Sequence, residues 1–426
     1  MHLLIAKSAL TLILTMLFLS LPVLAKEDRT VVVSARYGRS LRGSVDGFPV
    51  LVLRGTSRER GEAHGFLGAR EIIRTCDAMA GAVNQWGRTG ATESGWEAAK
   101  RLVSRFQFPS RFQDELRGML DGLERALPEA PDRTLQATGV AITLEDLKVL
   151  QCGDVLELMR CSQFSAWGSL TPDGCTIIAR NWDYPTIFPC DTYCILAVEP
   201  AEKGLQRTLD AMWFGMIGAG LACLNEEGVY LSADDAGSED PTQVNSPVPA
   251  TLALRRAAET AHAANPLVAM AENIDQKTAL AILYHIVAPG GRQHQAERAF
   301  VFEHAPGAAG PFETHLRRPS PTLPEALILT NDPLLGRAGG AEICERYARL
   351  EKALTDPAAK GKMDFERARS LLDSVAASSP TCTTQYSAVV WPARKELRLA
   401  VAPAPGKTAT KQDYIRVQWS VVFGLR

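Results

Sequence analysis

Two hydrophobic periods alternate along this chain. TVVVSARY (30–37) and FPVLVLRG (48–55) are short apolar runs rich in β-branched residues, which predicts strands. From Ser57, SRERGEAHGFLGAREIIRTCDAMAGAVNQW runs in helical period behind a serine cap. RFQDELRGMLDGLERAL sets Phe112, Leu116, Met119, Leu120 and Leu123 on one helix face. LEDLKVLQCGDVLELM is a further helical stretch that ends just before Cys161. The period then shortens. CSQFSAWGS and CTIIARNWD read as two strands joined by the turn TPDG, a hairpin spanning Cys161–Asp183. TYCILAVEP, TLDAMWFGMIG, LACL and GVYLSADDA follow as strands, with turns at EKG and NEEG. Residues 249–287 read as helices, the last of them QKTALAILYHIV. RAFVFEHA and ALILT are strands, AEICERYARLEKAL and DFERARSLLDSVA helices, and SAVVWP, ELRLAVAP and YIRVQWSVV closing strands. Strands, then helices, then strands predict sheets covered by helices, an α+β layered domain behind a helix-rich N-terminal segment.

The first 25 residues belong to a different class. Lys7 precedes the apolar run ALTLILTMLFLSLPVLA, and the charged KEDR follows it. Pro22 breaks the run and Ala25 offers a small residue for cleavage, so 1–25 reads as a secretory signal peptide. The rival reading, an uncleaved anchor, suits that break less well, and no later run reaches the ~20 apolar residues a span needs. The expected protein is periplasmic or secreted, with no stable membrane anchor after cleavage. The net charge of −2 makes nucleic acid an unexpected partner. Seven scattered histidines, with neither HxxxH nor CxxC, give no support for a metal site or a cofactor.

Nine cysteines sit at 76, 152, 161, 175, 190, 194, 223, 344 and 382. An odd count in an exported chain leaves a thiol over, unless it bonds another chain. Cys190 and Cys194 are either a local disulfide or two buried thiols. Cys161 opens the hairpin that folds Arg180 and Asp183 back beside it. A thiol close to a cation and a carboxylate is a candidate nucleophile.

CSQFSAWGSLTPDGCTIIARNWDY resembles the nucleophile hairpin of N-terminal-nucleophile (Ntn) hydrolases. Within them it is similar to the C45 peptidase family, which is penicillin-precursor acyltransferase-like, and to the choloylglycine hydrolase and acid ceramidase group. Those families show a Cys-Ser/Thr start, a T-x-DG turn and an RN-x-D strand. GTSRERGEAHG (55–65) resembles their upstream ERG-x-x-HG segment, CLNEEGVYLS (223–232) their N-E-x-G turn, and LTNDP (329–333) their TN segment. CERYARL (344–350) resembles their Ser-x-x-Arg helix with Cys344 in place of serine, and SAVVWPARKELRLAV (387–401) their closing hairpin. The matches run in family order from about 48 to 402. The resemblance implies an αββα four-layer sandwich and a precursor that cuts itself between Arg160 and Cys161. It thus divides the chain into a leader (1–25), an N-terminal segment (26–160) and an Ntn core (161–426). The two cut chains would form a noncovalent heterodimer.

The same resemblance assigns roles. Cys161 would attack an acyl carbonyl with its own α-amine as base. Unperturbed pKa values of about 7.7–8.0 for an α-amine and about 8.5 for a thiol suit that exchange. Arg180 would favour the thiolate and Asp183 would orient the α-amine. Asn225 and Asn331 match the two asparagines around the oxyanion site, and Arg346 a second, substrate-facing arginine. Trp182 and Tyr184 would line an acyl pocket. The plainer readings are a surface ion pair for Arg180 and Asp183, a turn-former for Asn225, an Asx turn for Asn331, a solvated helix charge for Arg346 and core packing for the aromatics. His64 reads as structural. The implied substrate is a small acyl amide with a non-peptide C–N bond, with water or an amine as acceptor. The alternative is an uncut, non-catalytic binding protein on the same fold, with Cys161 paired to Cys152 or Cys175. A serine esterase is discounted because no G-x-S-x-G occurs.

Overall fold

The computed structural model describes residues 31–425, apart from 87–93, 153–159, 185–187, 237–247, 274–280, 291–297, 307–311 and 336–342. Residues 1–25, read above as a leader, and the stretch directly before Arg160 lie outside the described residues.

The chain begins with β1 (Val32–Tyr37), β2 (Ser40–Val45) and β3 (Phe48–Gly55). Helices α1 (Ser57–Leu67), α2 (Ala69–Trp86), α3 (Gly95–Val103) and α4 (Ser110–Ala126) follow. A small ribbon, β4 (Thr134–Leu135) and β5 (Val140–Ala141), and α5 (Leu144–Leu150) lead to β6 (Arg160–Ala166) and β7 (Ile177–Tyr184). Then come β8 (Tyr193–Pro200), β9 (Thr208–Trp213), β10 (Cys223–Asn225) and β11 (Tyr230–Asp235). After α6 (Ala250–Thr260) and α7 (Pro266–Asn273) stand β12 (Ile282–Val287), β13 (Ala299–Pro306), β14 (Phe312–Arg317) and β15 (Ala326–Leu329). Helices α8 (Glu345–Thr355) and α9 (Phe365–Ser374) precede β16 (Ser378–Ser379), β17 (Cys382–Trp391), β18 (Glu396–Val401) and β19 (Ile415–Gln418), and α10 (Trp419–Phe423) ends the fold.

These strands form two large sheets. One has ten strands in the order β1-β2-β3-β8-β9-β10-β11-β12-β13-β14. The other runs β15-β6-β7-β17-β18-β19, with β16 on β17. The side-chain alternation of each strand decides the layers. Cys161, Ile178, Trp182, Tyr184, Tyr386 and Leu399 of the smaller sheet share one core with Leu51, Leu196, Leu209 and Leu283 of the larger. The opposite face of the smaller sheet, Phe164, Ala179, Ile328 and Val389, packs on Leu350 and Leu354 of α8 and Leu371 and Leu372 of α9. The outer face of the larger sheet, Leu231, Ile282, Tyr284 and Ile286, packs on Leu254, Ala257 and Ala258 of α6 and Met270 of α7. The order helix, sheet, sheet, helix is an αββα sandwich.

The N-terminal segment is helix-rich, and it also belongs to the sandwich. Its strand β3 pairs in parallel with β8, from Val50 opposite Ile195 to Gly55 opposite Pro200, so residues 32–55 extend the larger sheet. The ERG-x-x-HG segment gains a physical reason here. α1 and α4 lie so close that a Cβ on Gly61 would come within 1.8 Å of the Glu115 carbonyl oxygen, and one on Gly65 within 2.0 Å of that of Met119. Gly118 and Gly122 of α4 meet the backbone of α1 just as closely.

Several predicted elements differ. The single helix from Ser57 is two, broken at Gly68, and its N-cap is Thr56, in a capping box with Glu59. On the α4 face Leu120 is only partly buried. The end of the helical run 249–287 is a strand instead. Ile282–Val287 is paired on both sides, to β11 and β13, and buried throughout, which short apolar runs leave undecided between helix and strand. YIRVQWSVV is strand only to Gln418, after which Trp419–Phe423 turns helical. The first hairpin strand stops at Ala166 because Gly168 turns to φ +61° and opens a short 3₁₀ segment. Strands β2 and β14 carry no clear sequence signal.

Candidate active site

The hairpin register places the candidate residues. β6 and β7 pair Arg160 with Asp183, Cys161 with Trp182 and Gln163 with Arg180. Cys161, Trp182, Gln163 and Arg180 therefore face the larger sheet, and Asp183 faces the other way with Arg160. Cys161 is fully buried. Arg180 Nη2 donates toward its Sγ at 3.5 Å.

Arg180 is itself held at both terminal nitrogens. Nη1 donates to the carbonyls of Gly220 and Leu221, and Nη2 to that of Ala233. Asp210 builds part of this cradle by accepting the backbone N–H groups of Gly220 and Ala222 at 3.0 and 2.7 Å. Burial pushes the Asp210 carboxyl up to about 6, against those hydrogen bonds. Arg180 also pairs with Asp234 Oδ1 at 3.1 Å. The expected thiolate does not follow from this arrangement. Burial, reinforced by Asp234, raises the Cys161 thiol well above its ordinary value and outweighs the pull of Arg180.

The backbone of Cys161 is held by a second group. Its N–H donates to Asn331 Oδ1 at 2.8 Å. The edge strand β15 ends at Leu329 opposite Gln163, and two more residues in that register set Asn331 opposite Cys161. The asparagine side chain thus replaces the next ladder acceptor. Asn331 Nδ2 donates to the Asp235 carbonyl at 2.6 Å, so in the uncut chain this amide is turned away from an oxyanion role. Arg346, on α8, donates to the Cys161 carbonyl, to Ser162 Oγ at 2.9 Å and to Asn331 Oδ1 at 2.8 Å. Asp183 lies 3.7 Å from Arg346 and accepts from Thr384 Oγ1. Burial pushes its carboxyl up to about 6, although Thr384 and Arg346 pull it down.

Asn225 is not brought to this cluster. Its Nδ2 donates to the carbonyls of Ala258 and Ala261, and its Oδ1 accepts from Glu227 and Val229. It ties the β10–β11 turn to the C-terminus of α6, which is the turn-forming reading and leaves no amide hydrogen for an oxyanion. His64 is buried and neutral, its pKa lowered to about 4 by burial, and Nε2 accepts the Gly215 N–H at 3.0 Å.

Two hollows flank the hairpin. On the thiol side a cavity of about 60 Å³ is lined by Trp182, Tyr184, Phe188, Met212, Trp213 and Met216, with Arg180 and Asp235 also on its wall. Trp182 stacks on Tyr184 at 4.4 Å and meets Trp213 edge-on at 4.7 Å. On the other side a polar cleft of about 400 Å³ holds Arg160, Asp183, Arg346, Arg349 and Cys382. No disulfide joins Cys161 to Cys152 or Cys175, nor Cys190 to Cys194. Sequence motifs do not single out Asp234 and Gln163. The available signal is the acidic pair closing the apolar strand GVYLSADDA.

No family model and no curated protein matches the chain. Among solved structures it is similar to a Caenorhabditis elegans ortholog of N-acylethanolamine-hydrolyzing acid amidase, with TM-score 0.41 and 13% identity over 60% of this chain and 99% of that one. It is similar also to a mutant of conjugated bile acid hydrolase from Clostridium perfringens, with TM-score 0.41 and 11% identity over 61% of this chain and 92% of that one. Penicillin V acylase from Agrobacterium tumefaciens gives TM-score 0.37 and 10% identity over 61% of this chain and 86% of that one. Similarities this distant do not assign an activity, and the chemistry of the chain stands on its own residues.

Proposed function

We propose that the protein is an exported cysteine amidase of the Ntn type, activated by cleavage of its own Arg160–Cys161 bond. The observation that carries the reading is the separate holding of the two ends of Cys161. Its nitrogen leaves the strand ladder for Asn331, beside Arg346 and the polar cleft, while its thiol faces Arg180 beside the apolar cavity. A purely structural cysteine needs neither arrangement. Once cut, the nitrogen is an α-amine already aimed by Asn331, and it serves as base for the thiol on the same residue.

In the reaction the thiol proton passes to the α-amine as sulfur bonds to the acyl carbon. The C–N bond then breaks and the leaving amine takes that proton. Water attacks the thioester, releases the acid and restores the thiol. An exported enzyme meets little acyl-CoA, which favours water over an acyl donor cycle. The apolar cavity supports a small acyl group as the part held next to sulfur. The two segments 26–160 and 161–426 would remain together as a noncovalent heterodimer.

Intact-mass measurement of the purified protein tests the reading, followed by a panel of acyl amides. Two chains meeting at Arg160/Cys161 and amide hydrolysis are expected, both lost in Cys161→Ala. A full-length chain that hydrolyses amides would rule out the N-terminal mechanism. A cut chain inert to all of them would rule out the amidase.

A further inference from the structure

A buried polar chain leads from the thiol into the space between the sheets, and the reaction above makes no use of it. Asp234 Oδ1 pairs with Arg180 at 3.1 Å and accepts from Gln163 Nε2 at 2.7 Å. Gln163 Oε1 accepts from Ser232 Oγ at 2.9 Å and lies 2.9 Å from His285 Nδ1. His285 Nε2 lies 3.2 Å from Ser165 Oγ. Asp234, Gln163, Ser165, Ser232 and His285 are all fully buried. Asp234 Oδ2 has no N–H or O–H partner among the described residues, and the carboxyl also lies against the Cys161 thiol.

A buried carboxylate with an unused oxygen is costly and needs a reason. Anchoring Arg180 is not a sufficient one. Three backbone carbonyls already hold that guanidinium, so its position is fixed without a carboxylate. What Asp234 adds is charge, which burial opposes by raising its carboxyl above the usual range while Arg180 and Gln163 favour it. The groups around it are Cys161 and Gln163 from β6, Arg180 and, more distantly, Asp183 from β7, Tyr230 from its own strand, His285 from β12 and Arg346 from α8. His285 brings no positive charge, since burial lowers its pKa to about 3. The thiol therefore meets Arg180 with a counter-ion beside it, and Asp183 adds a weaker negative field from behind the strand.

We propose that Asp234, locked in place by Gln163, is a positioning residue that balances the Arg180 charge, so that Cys161 meets its substrate as a thiol and loses its proton only as sulfur bonds to carbon. This rests on the amidase reading. A thiolate held in the full field of Arg180 would form readily and attack poorly, because nucleophilicity falls with thiol pKa. The neutral resting thiol is also the form that a buried site favours.

The test needs no substrate. Ultraviolet titration of the thiolate, taken as the difference between each protein and its Cys161→Ser counterpart, isolates this thiol from the other eight. Asp234→Asn keeps an acceptor for Gln163 and Arg180 and removes the charge. Its Cys161 midpoint is expected to fall by about one pH unit or more. Asp234→Glu is expected to return it toward the parent value. With an acyl amide, Asp234→Asn should lower kcat about tenfold with KM little changed. An unmoved midpoint in Asp234→Asn overturns the proposal. Loss of folding in both variants overturns it too, because the carboxylate would then be holding the sheets together. A protein without amidase activity would sink the reaction and still leave the titration decisive for Asp234.

Discussion

Asn331 stands opposite Cys161 in the register of β15 and β6, and its side-chain oxygen takes the Cys161 N–H at 2.8 Å where a strand would have offered a carbonyl. A covalent cut at Arg160 would leave that hydrogen bond intact. On the proposed reading, the amine so formed would be pre-oriented by a group already in place. Asn331→Ala removes the acceptor for both Cys161 and Arg346. It is expected to lower kcat by roughly 10²-fold, the scale of a lost general-base alignment. Asn331→Asp keeps both acceptors and loses only the donor to Asp235, so it should retain more activity. Single-turnover kinetics with an acyl amide checks the order of the two.

Asp183 is buried, and burial pushes its carboxyl up to about 6, against the pull of Thr384 and Arg346. A carboxyl raised on folding holds its proton more tightly in the folded chain. It favours folding below its unfolded value of about 4 and costs stability as pH rises through about 6. In the uncut Cys161→Ala background, Asp183→Asn should therefore gain stability at about pH 8, on the order of 1–3 kcal/mol, and lose that gain near about pH 4. In the active protein the same change should abolish most turnover. Denaturant titrations at the two pH values and one activity assay check this.

Glu115 joins the two segments. Arg255 of the core pairs with it at 2.9 Å and Arg60 of α1 at 3.4 Å. Burial pushes the Glu115 carboxyl up, but Arg255 and Arg60 overcome it and hold the group below its usual range. Glu115→Ala leaves Arg60 with Glu202 and Arg255 with Glu259, so it removes only the shared carboxylate between them, a loss of about 1–3 kcal/mol. A denaturant titration of the cut protein is expected to show a lower midpoint in this variant than in its parent.

On the proposed reading, the apolar cavity would set an upper size for the acyl group. Trp213 forms part of its wall and packs on Trp182, Phe188 and Tyr193. Trp213→Ala should move the preference toward longer acyl chains. A methylene newly admitted to an apolar pocket is worth roughly 1–3 kcal/mol in kcat/KM. A series of amides differing only in acyl length, assayed on both proteins, checks the shift.

Much of the strand and helix content is legible where local signals agree. The Cys161–Asp183 hairpin, the helices at 110–126 and 365–374 and the strand at 193–200 carry both a clean period and a turn or cap. Ile282–Val287 reads as helix because apolar residues lie on both of its faces, and only the strands on either side of it make it a strand. The N-terminal segment reads as a helical block because a parallel pair, β3 with β8, joins residues about 145 apart and leaves no local trace. Arg180, Asn331 and Arg346 can be singled out from motif spacing. Asn225 cannot be placed that way, since a turn asparagine and a catalytic one look alike until their hydrogen bonds are counted.

By itself the sequence determined the hairpin, the cysteine at its start and the arginine that the turn folds back beside it, because each follows from side-chain alternation and turn chemistry within a few dozen residues. The tertiary structure decided which face each group takes and what charge it meets. Asp183 lies opposite Arg160 and away from the thiol, while Asp234, distant in sequence, reaches Arg180 beside it. Burial then reverses the simple expectation that a nearby arginine makes a thiolate. Desolvation and the balance of neighbouring charges exist only once two sheets have closed on each other.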